Sequence, residues 1–129
     1  MPRKSSKTLT DAELAVMQVL WERGSATVAE VAEALSREKP WAYNTVLTFL
    51  RILERKGYAG HTKQGRAFVY RPRVERGDAR RHALRDLLGR FFDGSPELLV
   101  QNILEAAEID PAEMDRIRAL LDEADRRSS

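Results

Sequence analysis

The sequence predicts a mainly α-helical protein with a small β-hairpin, organised as a winged helix-turn-helix domain followed by a C-terminal helical dimerisation segment. Three observations lead to that fold class. Two helix starts repeat one spacing, Thr10 with Glu13 and Thr27 with Glu30. A third amphipathic stretch stops at Gly57 and runs at once into two short alternating segments joined by Gln64-Gly65. Beyond Pro72 only helical patterns remain.

Each element has a local cause. Residues 1–9 carry no periodic apolar pattern and are expected to form a disordered basic arm. Thr10 opens the first helix: its hydroxyl can satisfy the Glu13 amide while the glutamate reaches back, the reciprocal pair of a capping box. Leu14, Met17 and Trp21, with Leu20 beside them, supply the apolar stripe, and Gly24 a left-handed stop. After a connector at 25–27 that can hold one short strand, Thr27 and Glu30 open a second helix with Val28, Val31, Ala32 and Leu35 on its apolar face, ending near Ser36. Pro40 disfavours helix at Lys39, so a turn separates helices two and three.

The third helix begins near Ala42. Val46, Phe49, Leu50 and Leu53 fall at i, i+3, i+4 and i+7, leaving Tyr43, Asn44, Thr45, Thr48 and Arg51 mostly outside the stripe. In the hairpin, Phe68 and Tyr70 share one face and are expected to be core, with Arg66 near the tip. In the tail, Asp78 is expected to cap a helix carrying Leu84, Leu87, Leu88 and Phe91, which Asp93-Gly94 breaks. Ser95 with Pro96 opens another, bearing Leu98, Leu99, Ile103 and Leu104, and Asp110-Pro111 opens the last, with Met114, Ile117, Leu120 and Leu121 on one side. The expected domains are therefore a winged-helix domain at 10–73 and a helical domain at 74–129.

Composition narrows the function. The 129 residues suffice for one compact domain and an appendage. Cysteine is absent, and His61 and His82 lie too far apart in sequence to suggest a ligand pair, so no metal and no cofactor is expected. No apolar run approaches the ~20 residues of a membrane span, and no apolar leader core follows the basic N-terminus. A soluble cytoplasmic protein without a membrane partner is the simplest expectation. Neither a glycine-rich phosphate loop, nor a nucleophile motif, nor an obvious carboxylate pair points to an enzyme.

The net charge of +2 hides a change of sign along the chain. Between residues 36 and 73 nine cations stand against two anions, a net +7 that suits a phosphate-binding surface; between 94 and 129 the balance is −5. Such a run is equally a solvated face, and its coincidence with the third helix and the hairpin favours DNA. Asn44 can bond adenine bidentately, the methyl groups of Thr45 and Thr48 suit thymine, and their short side chains let the helix approach the bases. Lys63 and Arg66 would then reach phosphates, unless the hairpin merely closes the core. Trp41 reads as packing rather than stacking on bases, and His61 as a surface strand residue. The tail stripes offer more apolar surface than three short helices can bury alone; a second copy is the simplest partner, and an intramolecular cap the alternative. A winged helix that docks a protein instead of DNA, and a repressor that answers to a small molecule, are the other readings.

Taken together, LTDAELAVMQVLW, TVAEVAEAL, WAYNTVLTFLRILERKGY, GHTKQGRAFVYRP and SPELLVQNILE, in this order and spacing, resemble the penicillinase repressor and methicillin-resistance regulator family of winged-helix transcriptional repressors. The resemblance covers nearly all of the chain. It implies a homodimer bound to a palindromic operator in double-stranded DNA, controlling genes of β-lactamase-type resistance or related stress functions. Carried over by position, it implies a reading helix with Ala42, Tyr43, Asn44, Thr45 and Thr48, then Arg51 one turn on, and a wing with His61, Lys63 and Arg66. It also implies a dimer interface from the tail stripes, at Leu84, Leu87, Leu88, Phe91, Leu98, Leu99, Ile103, Leu104, Ile117 and Leu121. Antibiotic-responsive members are cleaved in the tail, which implies a sensor protease as partner and the Asn102–Ile103 bond as its target. Ile103 departs from the bulkier aromatic found there in relatives, Tyr43 replaces a proline of some members, and the ending LLDEADRRSS lacks the cysteine-rich metal hook of copper-responsive ones.

Overall fold

The computed structural model describes residues 8–128. The elements run α1 (Asp11–Arg23), β1 (Ala26–Thr27), α2 (Val28–Leu35), α3 (Tyr43–Lys56), β2 (Ala59–Gln64), β3 (Ala67–Pro72), α4 (Arg76–Phe91), α5 (Pro96–Ala106) and α6 (Pro111–Ser128). Two compact units result, Met1–Asp86 and Leu87–Ser129, with the division inside α4.

Both expected capping boxes form. The Thr10 hydroxyl accepts from the Glu13 amide at 3.2 Å while the Thr10 amide donates to the Glu13 carboxylate at 2.9 Å; the Thr27–Glu30 pair repeats this at 3.1 and 2.9 Å. Gly24 and Gly57 stop α1 and α3 with positive φ, where a side chain would be strained. In the first unit α1, α2 and α3 pack around Val16, Met17, Leu20, Val31, Val46, Leu50 and Leu53, all fully buried. The antiparallel sheet, in the order β1-β3-β2, closes this core with Tyr70, which pairs with Ala26 on one side and His61 on the other.

Four expectations are corrected in this unit. Leu14 is not in the stripe of α1: it is 37% exposed, and the buried set is Glu13, Val16, Met17 and Leu20 with Val19. A stripe at i, i+3, i+4 and i+7 does exist, but it starts on a glutamate, which apolar counting passes over. The hairpin turn is Gly65-Arg66, one residue later than expected, because Gln64 still pairs with Ala67. Gly65 has φ of +62° and Arg66 does not have a positive φ, which is the requirement of a type II′ turn matched to the strand twist. Phe68 is 38% exposed rather than core, since it lies on β3 beyond the end of β1, whose last pair is Thr27 with Val69, and toward the hairpin tip only Lys63 of β2 pairs with it. Asp78 does not cap α4; the helix starts two residues earlier, with the Ala79 amide bonded to the Glu75 carbonyl, and Asp78 pairs with Arg81. Of the expected N-terminal arm, residues 1–7 lie outside the described residues, and Leu9 rests half-buried on the core.

Two long-range ties complete the unit. The Trp21 indole donates to the Val74 carbonyl at 2.8 Å, and the Lys56 ammonium meets the Glu13 carboxylate at 2.8 Å. In the second unit, Asp93 and Gly94 both take positive φ and break the chain after α4. Ser95 caps α5 by accepting from the Leu98 amide at 3.0 Å, and Asp110 accepts from the Glu113 amide at 2.8 Å at the start of α6. Neither α5 nor α6 buries a residue. Among the described residues no helix is long and apolar enough to cross a membrane.

Candidate nucleic-acid interface

The amphipathicity of α3 sorts its residues cleanly. Val46, Leu50 and Leu53 enter the core, while Tyr43, Asn44, Thr45, Thr48 and Arg51 are exposed on the opposite side. Tyr43, at the first helical position, is 53% exposed. The helix opens at Ala42 with no side-chain cap, unlike α1, α2, α5 and α6. Its first amide hydrogens therefore remain available at the positive end of the helix dipole, a chemistry suited to phosphate. Trp41 stays beneath this end as expected, its amide held by the Ser36 hydroxyl at 3.0 Å and its ring tilted against Phe49 at 6.1 Å.

The Thr48 hydroxyl donates to the Asn44 carbonyl at 2.9 Å, one turn back. With the proton so engaged, the side chain presents its methyl group and the acceptor side of its oxygen. Asn44 keeps its amide free of protein partners among the described residues. Both arrangements leave α3 with the donor, acceptor and methyl groups that base edges read.

The wing stands beside this helix through His61. Its Nδ1 lies 2.8 and 3.0 Å from the two Glu54 oxygens, and its ring sits 5.0 Å from both Phe68 and Tyr70. Since Glu54 belongs to α3, this contact fixes the strand pair against the helix that would read DNA. Burial, and then the Glu54 carboxylate, pushes the Tyr70 hydroxyl above its usual pKa, so it stays neutral under the ring stack. Lys63 and Arg66 are exposed at the far end of the hairpin. Arg71 is engaged within the wing, donating to the Thr62 hydroxyl at 2.9 Å, and the Arg73 side chain lies over Gly60, where a Cβ would come within 2.7 Å of its Nε.

The basic block is thus thinner than its composition suggested. Lys56 is not on the phosphate-facing surface: its side chain is 16% exposed and held by Glu13. Burial alone would raise the Glu13 carboxyl, but the Lys56 ammonium and the Thr10 amide hold it below the usual carboxylate value. The sequence contained no sign of this pair or of the His61–Glu54 contact, because nothing local marks partners that meet only after the chain folds.

The tail residues are placed as follows. Leu84, Leu87, Phe91, Ile103, Leu104 and Leu121 are exposed, and Leu88, Leu98, Leu99 and Ile117 half-buried. Asn102 and Ile103 lie inside α5, where the Asn102 side chain donates to the Leu98 carbonyl at 2.9 Å.

The sequence model of the penicillinase repressor family matches residues 9–123. The penicillinase repressor of Bacillus licheniformis is 34% identical over 120 residues, covering 93% of this chain and 94% of that protein. The transcriptional regulator BlaI of Mycobacterium tuberculosis is 35% identical over 107 residues, covering 81% and 78%. The solution structure of the DNA-binding domain of the repressor BlaI is similar at 39% identity and a TM-score of 0.51, over 59% of this chain and 93% of that one.

Proposed function

This chain belongs to the penicillinase repressor family and is a winged-helix transcriptional repressor, and on that premise we propose how it holds DNA. The outer face of α3 enters the major groove, with Ala42, Tyr43, Asn44, Thr45 and Thr48 toward the bases and Arg51 toward the backbone. Lys63 and Arg66 take phosphates at the flank, and His61 acts as a positioning residue that sets the wing against α3. The observation that carries this reading is the exposed, uncapped start of α3, where the short side chains of Asn44, Thr45 and Thr48 stand beside the exposed Tyr43, together with the exposed cations Lys63 and Arg66 of the hairpin.

The operator is an inverted repeat and the active species a homodimer, joined through the apolar stripes of α4, α5 and α6. Support for this comes from the exposed apolar surface of α5 and α6, which bury no residue, and of α4, which buries only Ala79. Two reading helices in successive major grooves would stand about 34–36 Å apart, and occupancy of a promoter is itself the repression. The protein works in the cytoplasm, where its DNA is, and carries out no catalysis. A sensor protease remains a candidate for relieving repression at the Asn102–Ile103 bond, which would require a turn of α5 to open first.

Footprinting and gel shifts on the DNA upstream of its own gene, run over a range of salt, test this. A protected palindrome is expected, with log affinity falling linearly in log salt at a slope of about −0.9 per neutralised phosphate. A salt-independent association, or no preference for any palindrome over scrambled duplex, would refute it.

A further inference from the structure

In the first unit a cavity of about 400 Å³ opens between α1 and the first turns of α4, away from the reading face of α3. Leu9, Leu14 and Trp21 line one side, and Arg76, Arg80 and Ala83 the other. We infer that this cavity binds a small planar aromatic carboxylate.

The size limits the occupant. Small-molecule sites span roughly 300–1,000 Å³, so this cavity suits a ligand of one or two rings, whereas a helix about 10 Å across does not fit. The space exists because α4 turns small side chains, Ala79 and Ala83, toward α1.

The lining sets the chemistry. The indole N–H of Trp21 is already spent on the Val74 carbonyl, so the ring offers only its apolar surface, and Arg76 lies over it at 5.5 Å. Arg80, one turn further along α4, has no ion-pair partner among the described residues. Against these two guanidiniums the wall contributes one carboxylate, Glu22, which leaves the site with an excess positive charge. A guanidinium binds a carboxylate through two parallel hydrogen bonds, and a flat ring stacks between Leu14 and the indole. The chain's own N-terminal stretch brings Arg3, Lys4 and Lys7, the wrong sign for this lining.

The test is calorimetric titration of the full chain with 1-naphthoate, with the neutral 1-naphthamide as its twin. Saturable binding of one naphthoate per chain is expected, with naphthamide weaker by roughly tenfold or more, the range of one charge-assisted bond. Arg80→Ala, an exposed change that leaves folding intact by circular dichroism, is expected to lower affinity by a similar factor. Ala83→Leu is expected to abolish binding by filling the space. Absence of saturable heat, equal affinity for naphthamide, or wild-type binding by Arg80→Ala overturns the inference. So does a loss of the dimer in Ala83→Leu by sedimentation, which would assign the cavity to a second copy of the chain.

Discussion

Replacing Lys56 with methionine isolates the tie between the start of α1 and the end of α3. Methionine retains most of the aliphatic stem but removes the ammonium 2.8 Å from Glu13, whose residue is only 4% exposed. The carboxylate then keeps only Thr10, chiefly its amide, as a partner. Breaking a buried ion pair from one side costs about 3–5 kcal/mol, and the partial exposure of Lys56 brings the expectation to about 2–3 kcal/mol. For a unit of this size that is a fall in Tm of about 8–24 °C.

The pH dependence gives the effect its signature. In the intact protein Glu13 has a lowered pKa, so the pair contributes stability above the ordinary carboxylate value of 4.5, and that stability is lost as pH falls through the lowered folded value. In the variant burial acts with little opposition and raises the carboxyl, so the penalty is relieved as acid neutralises it. Urea unfolding at pH 7 and at pH 3 is therefore expected to show a large gap that shrinks in acid, and Glu13→Gln added to Lys56→Met is expected to recover part of the loss at pH 7. A Lys56→Met protein within about 0.5 kcal/mol of the parent, the range of an ordinary surface substitution, would refute the reasoning, as would a gap independent of pH.

Alanine at Thr45 or Thr48 is expected to weaken operator binding by about 1–3 kcal/mol while leaving random duplex unchanged, measured by fluorescence anisotropy on both DNAs; equal losses on the two would place these side chains on phosphates. Replacing Lys63 and Arg66 together is expected to lower affinity for both DNAs and to reduce the salt slope by about 2. Polar residues at Leu87 and Phe91 are expected to give a folded monomer by sedimentation with poor operator affinity, because two linked half-sites no longer share one molecule; a tight monomeric complex would contradict the dimer. Thr27→Ala is expected to cost about 1 kcal/mol in unfolding free energy through loss of the α2 cap.

Much of the fold was legible because its causes are local. A capping box spans four residues, a glycine stop one, and the stripe of α3 repeats within a single helix, so Thr10, Thr27, Gly57 and the Val46–Leu50–Leu53 face could all be read from neighbours in the chain. The exposed face of α3, which we propose reads DNA, followed as the complement of that stripe. What the tertiary structure decided concerns partners distant in sequence. Glu13 heads the buried side of α1 only because Lys56 arrives 43 residues later to neutralise it, and a polar residue without its partner in view reads as solvent-facing. His61 becomes a strut between wing and helix only when β2 lies beside Glu54, and Trp21 closes off the cavity only once Val74 is brought to its indole. Local propensity specifies where elements begin and end; which charged groups are buried, paired or left free for DNA is an electrostatic outcome of how those elements meet.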